Sequence, residues 1–463
     1  MDDVNLFIRA RTLLDSVLVL ILTSIGYAVA NAVYNVYFHP LSKFPGPRMA
    51  AASRWWKTYV EVYRDESIVD RLFHLHEKYG DDPAVYNAIY SPKSRWNKDP
   101  LMYAPFGFGS HRSMFSTVEY QPAKKRRDLA APHFSRKSVL NLQGVIQAGV
   151  SNVQVLSALK SANSSSRLTS SAMRWLNAPR KESPLTSTAR FGASISTTSR
   201  LTASRPEELD NAPHSLIFHS LMDPAQSTKL DKQSRIKNQI ATYIDKPEEL
   251  DKTPHPTVFH VLMDSSHGTR LSATAMAEEA SLFLIAGTDT TSNASALGTI
   301  FALSDNGYMR NKLKEELKSV WPRLEDKPSL EVLESLPYLK AVCKESLRLS
   351  HGAMSPLMRV VPQQGAVLGG HFVPGGTKVG MAHTFVHFNP TLFPEPHTFR
   401  PERWLEPGAE ALDTWNVAFS KGPRSCLGIN LAWCELYMNI AHIFRRFDLK
   451  LEQGVQKLFD KKP

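Results

Sequence analysis

The 463-residue sequence predicts a mainly α-helical chain with a small β region, preceded by one transmembrane helix. Three stretches predict it. SVLVLILTSIGYAVANAVYNVYF, from Ser16 to Phe38, carries no formal charge. LFLIAGTDTTSNASALGTIFAL, from Leu282, reads as a long apolar helix with a polar interruption, and Leu431, Leu436, Ile440 and Phe444 recur near helical spacing in the last. The β region is expected from segments such as AVLGGHFVPGGTKVG, from Ala366.

In chain order, residues 1–15 form a short leading segment and 16–38 the anchor. At roughly 1.5 Å per residue such a helix crosses a hydrocarbon core of about 30 Å. Tyr27, Tyr34 and Tyr37 crowd its C-terminal half, as interfacial aromatics do. Ala28-Val29-Ala30 imitates a signal cleavage site, but the apolar stretch is long for a signal and continues past it. Arg9 and Arg11 precede the span, and Lys43, Arg48, Arg54 and Lys57 follow it, so the C-terminal side is the cytoplasmic one. HPLSKFPGP then breaks the helix, making 39–50 a Pro-rich linker to one large domain over 51–463.

Composition limits what that domain does. Only 3 cysteines argue against an extracellular disulfide scaffold. A structural zinc site wants close-spaced Cys and His ligands, and no such cluster is present. The net charge of +11 lacks the clustered stripe of a nucleic-acid binder, so no nucleic acid is expected as partner. A positive face suits an acidic protein or anionic lipid head groups instead.

The chemistry concentrates around Cys426. Phe419, Gly422, Arg424, Cys426 and Gly428 stand as F-x-x-G-x-R-x-C-x-G directly before a helix. The glycines permit close backbone approach by a flat ligand. A cysteine at a helix start sits near unpaired N–H groups, which favours the thiolate. An isolated cysteine is most often a small inert hydrophobe, and the fixed positions around this one argue for a function. Upstream stand Ala286-Gly287-Thr288-Asp289-Thr290-Thr291, then Glu345-Ser346-Leu347-Arg348, then Pro401-Glu402-Arg403-Trp404. Mid-helix threonines can simply bond back to carbonyls, and Glu and Arg three apart can be a surface pair.

Taken in this order, the four motifs resemble those of the cytochromes P450, the haem-thiolate monooxygenases. HPLSKFPGP, DPAVYNAIY, FSRKSV, PERWL and FSKGPRSCLGINLAW look most like the fungal branch that contains trichodiene oxygenase-type enzymes. The resemblance covers roughly residues 39–150 and 247–450 and implies a P450 fold holding haem b (iron protoporphyrin IX). It implies Cys426 as the iron ligand, Phe419 as shield of the sulfur, and Arg424, Arg127 and Arg359 as haem propionate contacts, with Gly428 in the cofactor loop. Gly287 would make room for dioxygen, and Asp289 and Thr290 would relay protons as catalytic residues. Glu345, Arg348 and Arg403 would form a buried network that serves folding.

Implied partners are NADPH–cytochrome P450 reductase, membrane lipid, O2 and a small hydrophobic substrate. The implied location is the endoplasmic reticulum membrane, single-pass, with the catalytic domain cytosolic. The expected activity inserts one oxygen atom from O2 into a terpenoid-like molecule of fungal secondary metabolism.

The chain departs from the pattern in places. Ala123 stands where the family usually has Trp or His, four residues before Arg127. From Gly80 the chain passes straight to Asp81-Asp82-Pro83, without the family's short strand insertion. Residues 151–205 are rich in Ser and Thr with a single acid, Glu182, and read as disordered. Residues 206–230 and 247–271 are near-duplicates, the second in the family position. These departures support an alternative: a non-catalytic or misfolded membrane-anchored P450-like product of a damaged or mis-spliced gene.

Overall fold

The computed structural model describes residues 2–80, 82–103, 113–149, 202–203, 238, 240–253, 257–263, 271–305, 307–350, 352 and 355–450. The first copy of the duplication and nearly all of 151–205 lie outside these residues. The chain divides into two compact units.

The first comprises 2–85 and 360–379. Helix α1, Asp2–Tyr37, takes in the leading segment as well as the apolar stretch. Its part Leu13–Tyr37, 25 residues with mean hydropathy 2.0 and no buried side chains, is long and apolar enough to cross a membrane. The chain turns where the prolines start: the ring of His39 accepts the Leu41 N–H at 3.1 Å and caps a tight turn over Pro40–Lys43. Helix α2, Ile68–Tyr79, begins at Ser67, and helix α3 follows from Pro83, so no strand lies between them among the described residues. β1 (Ala366–Leu368) and β2 (His371–Val373) form an antiparallel hairpin that pairs Val367 with Phe372. Alternation buries Leu368 and Val373 and leaves Val367 and Phe372 exposed.

The second unit comprises 86–359 and 380–450. Its frame is four helices: α4 Ala273–Ser304, α5 Tyr308–Val320, α6 Pro337–Leu349 and α7 Ile429–Arg446. α4 packs on both α6 and α7, and α6 and α7 pack on each other. The α4–α6 crossing depends on Gly298, because a Cβ there would lie 2.1 Å from the Ser346 hydroxyl oxygen. The face of α7 read from the sequence is the buried one at Leu436, Ile440 and Phe444. Two strands, Thr202–Ala203 and Leu449–Lys450, pair antiparallel, so part of the Ser/Thr-rich segment is ordered. The described parts of the second repeat copy form short helices, Glu248–Asp251 and Val258–Met263.

Glu345, Arg348 and Arg403 form the buried network. Arg348 grips Glu345 through Nε and Nη2 at 2.9 and 2.8 Å, while Arg403 Nε donates to the same carboxylate at 3.1 Å. Trp404 Nε1 and the Arg400 N–H add bonds at 2.9 Å each. Arg348 Nη1 donates to the carbonyls of His387 and Pro396. Burial alone would raise the pKa of Glu345, but Arg348 and then Arg403 hold it below the usual carboxylate value.

Candidate active site

A cavity of about 1430 Å³ opens within the second unit. One part of its wall is the loop Ala418–Gly428 with the start of α7, and another is Leu282–Thr291 of α4. The cysteine loop is shaped by its own backbone. Ser420 and Gly422 both take positive φ, 57° and 71°. At Gly422 a Cβ would come within 2.5 Å of the Ser91 carbonyl, so only glycine fits. The chain then turns through Gly422–Arg424, and the Cys426 N–H donates to the Phe419 carbonyl at 2.8 Å. Arg127 Nη1 donates to the Ser425 carbonyl at 2.7 Å, pinning the loop from the helix Tyr120–Ala130.

Cys426 is thereby presented to the cavity, whereas Cys343 and Cys434 are buried. Burial pushes the Cys426 thiol pKa up, although the Gly428 N–H and Arg127 pull it down as a helix start should.

Asp289, Thr290 and Gly287 also line the cavity. Helix α4 stays α-helical through the polar stretch, and the Thr290 hydroxyl donates to the Ala286 carbonyl at 2.7 Å. That bond uses its proton and leaves its oxygen able to accept another. A Cβ at Gly287 would meet nothing within 4 Å, and one at Gly428 only the Phe134 ring at 3.9 Å. The chain's own packing does not demand glycine at either place.

The remaining predicted contacts separate. Arg127, Arg424 and Phe419 line the cavity. Arg424 donates to the carbonyls of Thr117 and Val118 at 3.3 and 3.1 Å, and its Nε is buried without a partner among the described residues. Burial, then Arg359, brings its pKa down to about 10. Arg359 lies outside the lining residues, with Nη1 donating to the Tyr103 hydroxyl and the Leu357 carbonyl at 3.0 Å each. Two residues that sequence reasoning passed over also line the cavity: Lys98 and Glu435, whose carboxyl burial pushes up to about 7. A lone lysine in WNKDP carries no periodic or motif signal. Glu435 stands inside an apolar helical pattern, and that was the available clue.

Lys98, Arg127, Arg359 and Arg424 have no carboxylate within ion-pair distance among the described residues. Lys98 and Arg359 are buried and Arg127 and Arg424 half-buried, an arrangement that an anion would neutralise. A thiol at the wall, open space beside two glycines and this positive corner together fit a flat macrocycle bearing an iron and two carboxylates. The volume also exceeds the roughly 300–1,000 Å³ of a pocket for one drug-sized ligand.

Comparison with known proteins agrees with this chemistry. Residues 189–463 match the family model described as Cytochrome P450. Cytochrome P450 monooxygenase flvC of Aspergillus flavus is 33% identical over 93% of this chain and 90% of its own length. Cytochrome P450 monooxygenase TRI4 of Fusarium sporotrichioides is 30% identical over 93% of this chain and 88% of its own. A solved cytochrome P450 (CYP102L1) shares the fold at TM-score 0.59 and 18% identity, covering 83% of this chain and 92% of that one. The chain belongs to the cytochrome P450 family, in its fungal branch, and is a haem-dependent monooxygenase supplied with electrons by a reductase.

Proposed function

We propose that the protein is anchored in the endoplasmic reticulum membrane by Leu13–Tyr37, with its catalytic domain in the cytosol. It takes electrons from NADPH–cytochrome P450 reductase and oxidises a small, hydrophobic, terpenoid-like substrate of fungal secondary metabolism. One oxygen atom of O2 enters the substrate and the other leaves as water. The observation that carries this reading is the single cavity walled both by Cys426 and by Asp289 and Thr290.

When bound, haem b supplies oxygen binding and the electron-transfer chemistry. The chain's residues do the rest. Cys426 would supply the sulfur that holds the iron, and the Gly428 N–H and Arg127 would steady its charge. Phe419 covers the loop beside it, its ring 6.1 Å from that of Trp433. Arg127 and Arg424 hold the carboxylates at the cavity wall, and Arg359 supports them from behind Tyr103. Asp289 carries protons into the cavity, and Thr290 accepts at Oγ1 while its own hydroxyl proton stays directed at the Ala286 carbonyl. Phe283, Leu284 and Ile285 give the substrate space an apolar wall.

The deciding measurement is the absorption spectrum of the reduced protein under carbon monoxide, which reports the iron–sulfur bond. A thiolate-type band lost in Cys426→Ser is the expected result, and a band unchanged by that substitution would refute the assignment. Incubation with reductase, NADPH and a terpene panel tests the substrate class. Haem incorporation with no substrate-dependent NADPH use or product would favour the non-catalytic alternative, whose physical basis is the duplication and the Ser/Thr-rich 151–205.

A further inference from the structure

Residues 113–118 form neither helix nor strand, yet two of them, Met114 and Phe115, line the cavity. Side chains from elsewhere hold their backbone. Glu279 accepts the Met114 N–H at 2.6 Å, and Lys98 Nζ donates to the Phe115 carbonyl at 2.5 Å. Arg424 donates to the carbonyls of Thr117 and Val118. A segment without a ladder of its own keeps its place through bonds of this kind.

Glu279 is the acid among these three side chains. It stands on α4, is 1% exposed, and lies beside the lining residue Ala280 without lining the cavity itself. The same oxygen, Oε1, faces Arg126 Nη1 at 3.4 Å, from the helix Tyr120–Ala130 whose Arg127 pins the cysteine loop. One carboxyl therefore joins α4, residues 113–118 and Tyr120–Ala130. Glu278 on its own helix and Lys98 on the strand Asn97–Lys98 also act on it electrostatically.

We propose that Glu279 is a positioning residue for substrate: through the Met114 N–H and Arg126 it fixes Met114 and Phe115 as a wall of the substrate space. This rests on the reading of the cavity as the haem and substrate site. The clamp is sensitive to pH. Burial pushes the Glu279 pKa up to about 7, against the pull of the Met114 N–H and Arg126. A wall released into water would return the carboxyl to its ordinary value of 4.5, so proton loss favours release. The wall is held best below about pH 7 and loosens as pH rises through it.

The test titrates the haem-loaded protein spectrally with two iron-binding ligands that do not themselves ionise near neutral pH: bare triazole and a bulky triaryl-substituted triazole. The bare ligand needs little beyond the iron, whereas the bulky one needs the wall. Below about pH 7, Glu279→Ala should bind the bulky ligand about tenfold more weakly and the bare one unchanged. Glu279→Gln keeps an oxygen for the Met114 N–H and should bind both as wild type does. As pH rises through about 7, wild type should lose affinity for the bulky ligand by about tenfold relative to Glu279→Gln. Glu435 titrates in the same range but is common to both proteins. Equal affinity of wild type and Glu279→Ala for the bulky ligand would overturn the proposal. So would a loss shared by the bare ligand, or the same pH profile in wild type and Glu279→Gln. If Glu279→Ala does not fold, that pair of pH profiles decides alone. A wild-type protein that binds no haem overturns the cavity assignment itself, an outcome separate from any result for Glu279.

Discussion

Two clusters of buried charge in the second unit differ in one respect. Around Glu345 the chain supplies both signs: one carboxylate receives Arg348, Arg403, Trp404 and a backbone N–H, all within 3.1 Å. Around Lys98 and Arg424 it supplies cations alone, bonded to carbonyls and rings. The first cluster is complete as folded. The second is arranged for something the chain does not encode. A self-satisfied network adds rigidity, whereas a one-signed one stores unfavourable energy that a ligand of the other sign relieves.

The largest effect should come from breaking the complete cluster. Arg348→Ala leaves Glu345 buried with Arg403 as its one remaining cation, and is expected to destabilise the protein by about 3–5 kcal/mol. Denaturant unfolding should show this loss in apo and haem-loaded protein alike. A loss confined to the loaded form would place Arg348 in the cofactor cluster instead.

Next comes the acid at the border of the cation cluster. Glu279 accepts the Met114 N–H at 2.6 Å and faces Arg126 Nη1 at 3.4 Å, yet burial pushes its pKa up to about 7. The sign follows from linkage. A carboxyl that binds its proton more tightly when folded stabilises the fold at low pH, and that contribution fades as pH rises from about 4.5 through about 7. Across that window the difference is on the order of 3 kcal/mol. Glu279→Gln should flatten the fall of stability with pH, measured as the difference from wild type. Glu435 titrates in the same range but is common to both proteins and cancels. An unchanged slope would show that Glu279 keeps an ordinary carboxylate pKa.

Arg424→Gln sharpens the contrast from the other side. It removes a cation that has no carboxylate partner, so apo stability should change little or rise. Haem retention should fall by about 1.5–3 kcal/mol, the usual worth of a hydrogen bond to a charged group. Apo and holo melting curves in parallel check this. Equal losses in both would mean that Arg424 serves the fold through the Thr117 and Val118 carbonyls.

The same contrast explains what the sequence made legible. Glu345, Arg348 and Arg403 stand in spaced patterns and join in one buried network, and Cys426 lines the cavity. The β region expected in AVLGGHFVPGGTKVG contains the hairpin of Ala366–Leu368 and His371–Val373. Lys98 was not legible, because its meaning depends on Arg424 and Arg127, which only the tertiary fold brings near it. At Cys426 the helix start that lowers the thiol pKa is visible in sequence, while the burial that raises it is not. Arg359 matched a family position yet lies behind Tyr103, off the cavity wall. Sequence patterns specify which residues act together along one element; dielectric surroundings and long-range charge arise from packing.

The smallest expected effect concerns the position where this chain departs from its family. Ala123 is buried on the cavity wall, one helical turn before Arg127. Ala123→His places a ring N–H there and adds one donor to the one-signed cluster. A neutral hydrogen bond contributes about 0.5–1.5 kcal/mol, so haem release to apomyoglobin should slow by roughly two- to tenfold. The apo protein should gain nothing, since the added donor has no partner until carboxylates arrive.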